Sequence, residues 1–158
     1  ALASARETIY ITQSYFIPND MIRDALIDAS GRGVDVQIIL PQHPDVPLVK
    51  SSSELSYEKL LEGGVRIFER RGSMLHSKTM VIDGVWSTIG SCNIDDRSFL
   101  LNYECNAIVY DRSFGEGMEK MFADDLLDCE EITLDRWKER PWWKTVKNKL
   151  LIPFAPQL

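Results

Sequence analysis

The sequence predicts an α/β domain built on a mixed β-sheet flanked by helices. Two features carry that expectation. A strand, helix, strand run near the N-terminus closes a parallel βαβ unit, and two strand-like runs further on are joined by Asp83-Gly84, the turn chemistry of a tight antiparallel hairpin. The first strand, 8–12, is β-branched and aromatic, with Ile9 and Ile11 on one face. Asn19 or Asp20 caps the helix that follows, in which Ile22, Ala25, Leu26 and Ala29 recur at helical spacing. Gly31 and Gly33 lie where its C-terminus favours left-handed residues. The run 34–40 is largely apolar and bounded by Gly33 and Pro41, the form of a buried parallel strand.

After a loop over 41–47, Leu55, Tyr57, Leu60 and Leu61 mark a second helix stopped by Gly63-Gly64, and 65–68 a further strand. The runs 74–82 and 85–89 form the hairpin, and 103–110 adds another strand. Ser113-x-x-Glu116 reads as a capping box that opens a helix through Met118, Met121, Phe122, Leu126 and Leu127. A last, partly amphipathic helix begins near Thr133 and is interrupted at Pro141. With no internal repeat or low-complexity tract, one folded domain over 1–130 is expected, followed by a helical and aromatic tail over 131–158.

The chain has 158 residues, of which 44% are hydrophobic, enough for a sizeable core. Eighteen Lys and Arg against 24 Asp and Glu give a net charge of −6, so overall charge does not draw it to nucleic acid. Cys92, Cys105 and Cys129 are odd in number and widely spaced, which suggests neither a disulfide framework nor a zinc site, but reduced and mostly buried thiols of a reducing compartment. No apolar run approaches the roughly 20 residues needed to cross a bilayer. The chain lacks an initiating Met and enters its first strand almost at once, as expected of a piece of a longer polypeptide.

The chemistry centres on His76-x-Lys78-x-x-x-x-Asp83. Side chains alternate along a strand, so His76 and Lys78 project from one face. Imidazole can attack phosphorus and be displaced again, while a fixed ammonium stabilises the non-bridging oxygens as charge develops; neither a metal nor a cofactor is required. A lone His/Lys pair is ordinarily surface decoration, and it is the residues downstream that give this one meaning. Gly90-Ser91-Cys92-Asn93 follows the partner strand of the hairpin, where the chain returns close to His76. Ser91 and Asn93 can donate hydrogen bonds to phosphate oxygens, and Gly90 lets backbone approach closely. Glu104, expected on the next strand, can accept the Nδ1 proton of His76 and leave Nε2 free to attack.

This set resembles the signature of the phospholipase D superfamily, matching at His76, Lys78, Asp83, Gly90, Ser91, Asn93 and Glu104. The resemblance implies that the fold is one half of a two-half enzyme and that His76 is the nucleophile or the general acid. It further implies that Lys78, Ser91 and Asn93 bind phosphate and that Glu104 orients His76. Asp83, on the turn and away from the His/Lys face, reads as structural. Further segments resemble the C-terminal catalytic half of bacterial cardiolipin synthases: Gln13-Ser14-Tyr15-Phe16-Ile17-Pro18, Gly31-Arg32-Gly33-Val34-Asp35-Val36, Leu61-Glu62-Gly63-Gly64-Val65-Arg66-Ile67, Asn93-Ile94-Asp95-Asp96-Arg97-Ser98-Phe99 and Leu101-Asn102-Tyr103-Glu104. That family condenses two phosphatidylglycerol molecules into cardiolipin and glycerol through a phosphatidyl-histidine intermediate. It uses two histidines and sits at the cell membrane, here implied to be held at the cytoplasmic face by an N-terminal segment outside this chain.

His43 is the other histidine, in a Pro-flanked loop without a partner lysine, and reads as a surface residue. The second catalytic histidine is therefore expected from a missing N-terminal half or from a second copy of the chain. Two other functions share the same residues. One is a single-motif nuclease or phosphodiesterase working as a homodimer, against which stand the net negative charge and the cardiolipin-synthase-like flanks. The other is a non-enzymatic lipid-binding domain, against which stands the intact residue set. The tail from Arg136-Trp137 through Trp142-Trp143 to Phe154 suits either packing on the domain or the missing half, or a membrane interface.

Overall fold

The structure, a computed structural model of the chain, describes residues 1–72 and 74–141. Strands β1 (Thr8–Gln13), β2 (Asp35–Pro41), β3 (Arg66–Arg70), β4 (Lys78–Ile82), β5 (Trp86–Gly90), β6 (Asn106–Tyr110) and β7 (Cys129–Ile132) form one mixed sheet in the order β6-β5-β4-β1-β2-β3-β7. The strands β1, β2 and β3 run parallel, whereas β4, β5, β6 and β7 each run antiparallel to the neighbour they join. Helices α1 (Asp20–Gly31) and α2 (Pro47–Glu62) provide the crossovers, with α3 (Asp96–Leu100), α4 (Arg112–Leu126) and α5 (Leu134–Lys138) later in the chain. The α/β class and the mixed sheet flanked by helices are therefore as the sequence implies.

Alternation along the strands divides the core into two layers. Ile9, Ile11, Val36, Ile38 and Ile67 pack with Leu26 and Ala29 of α1 and with Tyr57 and Leu60 of α2. On the opposite face Ile39, Phe68 and Leu75 meet Phe122 of α4, and the rings of Tyr10 and Phe122 stack with centroids 4.8 Å apart. Asn19 caps α1 by accepting the amide of Ile22, and Gly33 supplies the positive φ beyond its end. Asp83 and Gly84 both have positive φ, the backbone of a two-residue turn whose twist matches that of β4 and β5.

Several boundaries differ from expectation for local reasons. The hairpin's first strand is shorter than 74–82 and begins at Lys78, so His76 lies in an irregular segment before it. The strand expected over 103–110 begins at Asn106, and Glu104 precedes it. Residues before that point wrap the end of α3 instead, where the amides of Leu101 and Asn102 both donate to the carbonyl of Arg97. Helix α4 is capped two residues earlier than Ser113, because Asp111 accepts the amide of Phe114 at 2.8 Å. Strand β7 has no apolar alternation to announce it. It is held at the sheet edge by ion pairs of Glu131 with Arg66 and of Glu130 with Arg71 and Arg136. The thiols are free, but Cys105 is exposed and Cys92 and Cys129 only half-buried. From the stretch beyond 130, Trp137 packs against Tyr57, while Trp142, Trp143 and the rest of the aromatic tail lie outside the described residues.

Candidate active site

In an open α/β sheet, ligands collect beyond the C-terminal ends of parallel strands, where the strand order reverses. Strand β1 is that point here, with parallel β2 on one side and antiparallel β4 on the other. The register sets Gln13, the last residue of β1, against Lys78, the first of β4, and Gly90, the last of β5, against Asn106, the first of β6. The loop after β1, the His76 segment, the Gly90-Ser91-Cys92-Asn93 turn and the Glu104 segment thus meet at one edge of the sheet.

Two features bring the turn after β5 close to its neighbours. A Cβ on Gly90 would lie 2.0 Å from Oδ1 of Asn106 and 2.3 Å from the carbonyl oxygen of Cys105, so a side chain here would drive the strands apart. The amide of Ile94 donates to Tyr15 and that of Ile17 to Ile94, which laces the turn to the segment after β1.

Lys78 is only 8% exposed, and its Nζ donates to Oγ of Ser14 at 2.7 Å and to the carbonyl of His76 at 3.0 Å. Burial pulls its pKa down, opposed by the negative charges of Glu104, Asp45 and Asp95. The His76 side chain is exposed, and among the described residues no hydrogen bond joins it to Glu104. Glu104 instead accepts from the hydroxyl of Ser91 and from Nδ2 of Asn102 at 3.1 Å. Those bonds hold its carboxyl below the ordinary range. Ser91 Oγ also accepts the amide of Cys105 at 3.0 Å, so its hydrogen is committed to the carboxylate in this arrangement. Asn93 Oδ1 accepts from Ser14 at 2.9 Å.

Asp83 lies at the opposite end of β4 and takes no part in this edge. Its carboxylate accepts the amides of Arg6, Glu7 and Thr8 at 2.8 to 3.2 Å. His43 is exposed in the loop after β2, and in the same loop Asp45 accepts from the Tyr15 hydroxyl at 2.8 Å. Sequence reasoning passes over Ser14 and Asp45, since neither belongs to the downstream motif. For Ser14 the signal was its place at the end of a strand that lies at the reversal of strand order. Among the described residues no group of three His, Cys, Asp or Glu is arranged to hold a metal ion.

A mixed sheet with helices on both faces, carrying a His-x-Lys pair and an Asn-bearing turn at its switch point, is that of a phospholipase D-like domain. The family model described as "Cardiolipin synthase, PLD-like domain" matches residues 1–126, and the chain belongs to that family. It is 36% identical over its full length to cardiolipin synthase A of Yersinia pseudotuberculosis serotype O:1b, of which it covers 32%. The chain therefore spans about a third of the length of the curated relatives it matches. Among solved structures it is similar to Nuc, a phospholipase D family member of Salmonella typhimurium, at TM-score 0.75 and 21% identity, covering 84% of this chain and 86% of that one. It is also similar to the phosphatidylserine synthase of Haemophilus influenzae Rd KW20 at TM-score 0.66 and 15% identity, covering 98% and 40%.

Proposed function

We propose that the chain is the C-terminal catalytic half, over 1–130, of a phosphatidyltransferase that makes cardiolipin from two phosphatidylglycerol molecules. The observation that carries this reading is the convergence of the His76 segment, the buried Lys78 and Asn93 on one sheet edge, in a chain of cardiolipin synthase kinship. His76 Nε2 attacks phosphorus, forming a P–N bond as the P–O bond to glycerol breaks. The leaving alkoxide takes its proton from a second histidine. The hydroxyl of the second phosphatidylglycerol then gives its proton to that histidine and attacks, breaking the P–N bond. Lys78 and Asn93 hold the non-bridging oxygens, Ser91 steadies Glu104, and Glu104 supports the imidazole once substrate draws it inward.

The second histidine comes from an N-terminal half of the same polypeptide, and two observations support a partner at this edge. Three carboxylates act on the charge of Lys78, so an anionic phosphodiester bound here needs further positive charge from elsewhere. The nearby surface is also apolar: Leu100, Leu101 and Tyr103, in the stretch that leads into the open edge strand β6, are each more than two-thirds exposed. In the whole protein the site faces the cytoplasmic leaflet, held there by a preceding membrane segment, with the tail beyond 130 at the interface or against the other half. Among the described residues no helix is long and apolar enough to cross a membrane.

The test is cardiolipin formation in mixed micelles, followed against molecular mass in solution. The isolated chain should be inactive, because loss of general acid catalysis alone costs ~10²–10⁴-fold. Addition of the N-terminal half should restore activity, and His76→Asn should abolish it again with circular dichroism unchanged. Robust turnover by a strict monomer would refute the split site. Activity confined to a dimer of this chain, with metal-independent cleavage of plasmid DNA, would favour the single-motif nuclease instead.

A further inference from the structure

The structure assigns Ser14 a positioning role: its hydroxyl fixes which face of the Asn93 amide is turned to substrate while tethering the Lys78 ammonium. This rests on the phosphodiester reading of the site, which it deepens. Ser14 lies outside the His-x-Lys segment and the Gly90-Ser91-Cys92-Asn93 turn, 64 residues before Lys78 and 79 before Asn93. Its side chain is nearly closed off from water at 3% exposure, and its amide donates to the Ser77 carbonyl at 3.0 Å, so the hydroxyl has little freedom to search for other partners.

The donor and acceptor inventory settles the direction of each bond. A lysine ammonium only donates, so the 2.7 Å contact requires Ser14 Oγ to accept from Lys78. The hydroxyl hydrogen must then go to another acceptor, and Asn93 Oδ1 at 2.9 Å is the one it meets. Turning the amide over would set Nδ2–H against Oγ and leave a buried hydroxyl hydrogen without an acceptor, a costly arrangement. The oxygen of Asn93 therefore faces inward, and Nδ2, which has no acceptor among the described residues, faces the open edge as a donor. Lys78 is treated alike. Two of its ammonium hydrogens are spent on Ser14 Oγ and the His76 carbonyl, and one remains for an oxyanion. A flexible side chain and a rotatable amide are thus set as donors before substrate arrives, so neither need reorganise when it binds.

The experiment follows the ¹⁵N-labelled chain by NMR in complex with the unlabelled N-terminal half, which supplies the further positive charge, with tungstate as the phosphate mimic. In the wild-type protein the Asn93 Nδ2 protons should show no Overhauser contact to the Ser14 β-protons, and they should shift when tungstate is added. Ser14→Ala, with its backbone amide spectrum preserved, should bind tungstate roughly tenfold or more weakly, as expected for losing a hydrogen bond to a charged group, and the Asn93 response should shrink. Ser14→Thr, which keeps the hydroxyl, should recover most of that affinity. A wild-type Overhauser contact between Asn93 Nδ2 and Ser14 would overturn the assignment without any variant. So would unchanged tungstate affinity in Ser14→Ala. Failure of the wild-type chain to bind tungstate at Asn93 even with the N-terminal half present would instead bring down the phosphodiester reading itself.

Discussion

The carboxylate of Asp83 is a mooring rather than a reagent: it collects the amides of Arg6, Glu7 and Thr8 and so fastens the β4–β5 turn to the start of β1. Burial opposes its ionisation, but the three amides outweigh burial and hold its pKa below the usual carboxylate value. A depressed folded-state pKa means that the stabilisation is complete above the unfolded value of about 3.9 and is lost as pH falls through the folded value. Asp83→Asn, which like aspartate tolerates the positive φ of this turn, should cost about 1–2 kcal/mol at pH 7, the difference between a charged and a neutral acceptor for these amides. The gap between wild type and variant should close towards pH 2. Urea midpoints at the two pH values check this, and a gap that persisted unchanged in acid would exclude the carboxylate as its origin.

At the scale of the element, α4 separates two ways of reading an N-terminus. Ser113 and Glu116 satisfy the capping-box pattern, yet the helix starts at Arg112 and Asp111 provides the cap. Pattern alone leaves the frame open, because a residue caps only if its own backbone is extended, and here that holds for Asp111. Asp111→Ala should therefore lower stability by about 1 kcal/mol, whereas Ser113→Ala should change it by no more than about 0.5 kcal/mol. Thermal melts of the two variants decide between the frames, and the reverse order would restore the capping box. The second crossover shows the other side of element formation: the Lys50–Glu69 ion pair joins α2 to β3 beside the buried hydroxyl of Tyr57, tying two elements that no local pattern connects.

At the scale of the whole molecule, the site is an edge of the sheet rather than an enclosed pocket, with an exposed histidine, a buried ammonium and an apolar margin. In the proposed mechanism Lys78, with the further positive charge that the partner half supplies, stabilises the phosphoryl oxygens. Phosphatidyl transfer by the full-length protein should therefore survive EDTA without loss beyond twofold. Loss of activity on chelation, with recovery on adding Mg²⁺ or Ca²⁺, would contradict that assignment. Assays of the intact protein in micelles containing phosphatidylglycerol provide the measurement.

The sequence by itself determined the fold class, the crossover helices and the turn, because strand alternation, helical spacing and two-residue turn chemistry act over a few neighbouring residues. It also determined the family, since His76, Lys78, Gly90 and Asn93 lie within one short stretch and each residue type answers a separate chemical need. The boundaries of β4 and β6, the frame of α4 and the existence of β7 were decided by tertiary structure. There, backbone groups chose between a ladder partner, a helix end and an ion-paired edge. Tertiary structure alone also brought Ser14 between Lys78 and Asn93. That contact depends on the register in which β1 pairs with β4, and register is set by burial of whole strand faces across a long stretch of chain, not by any local spacing.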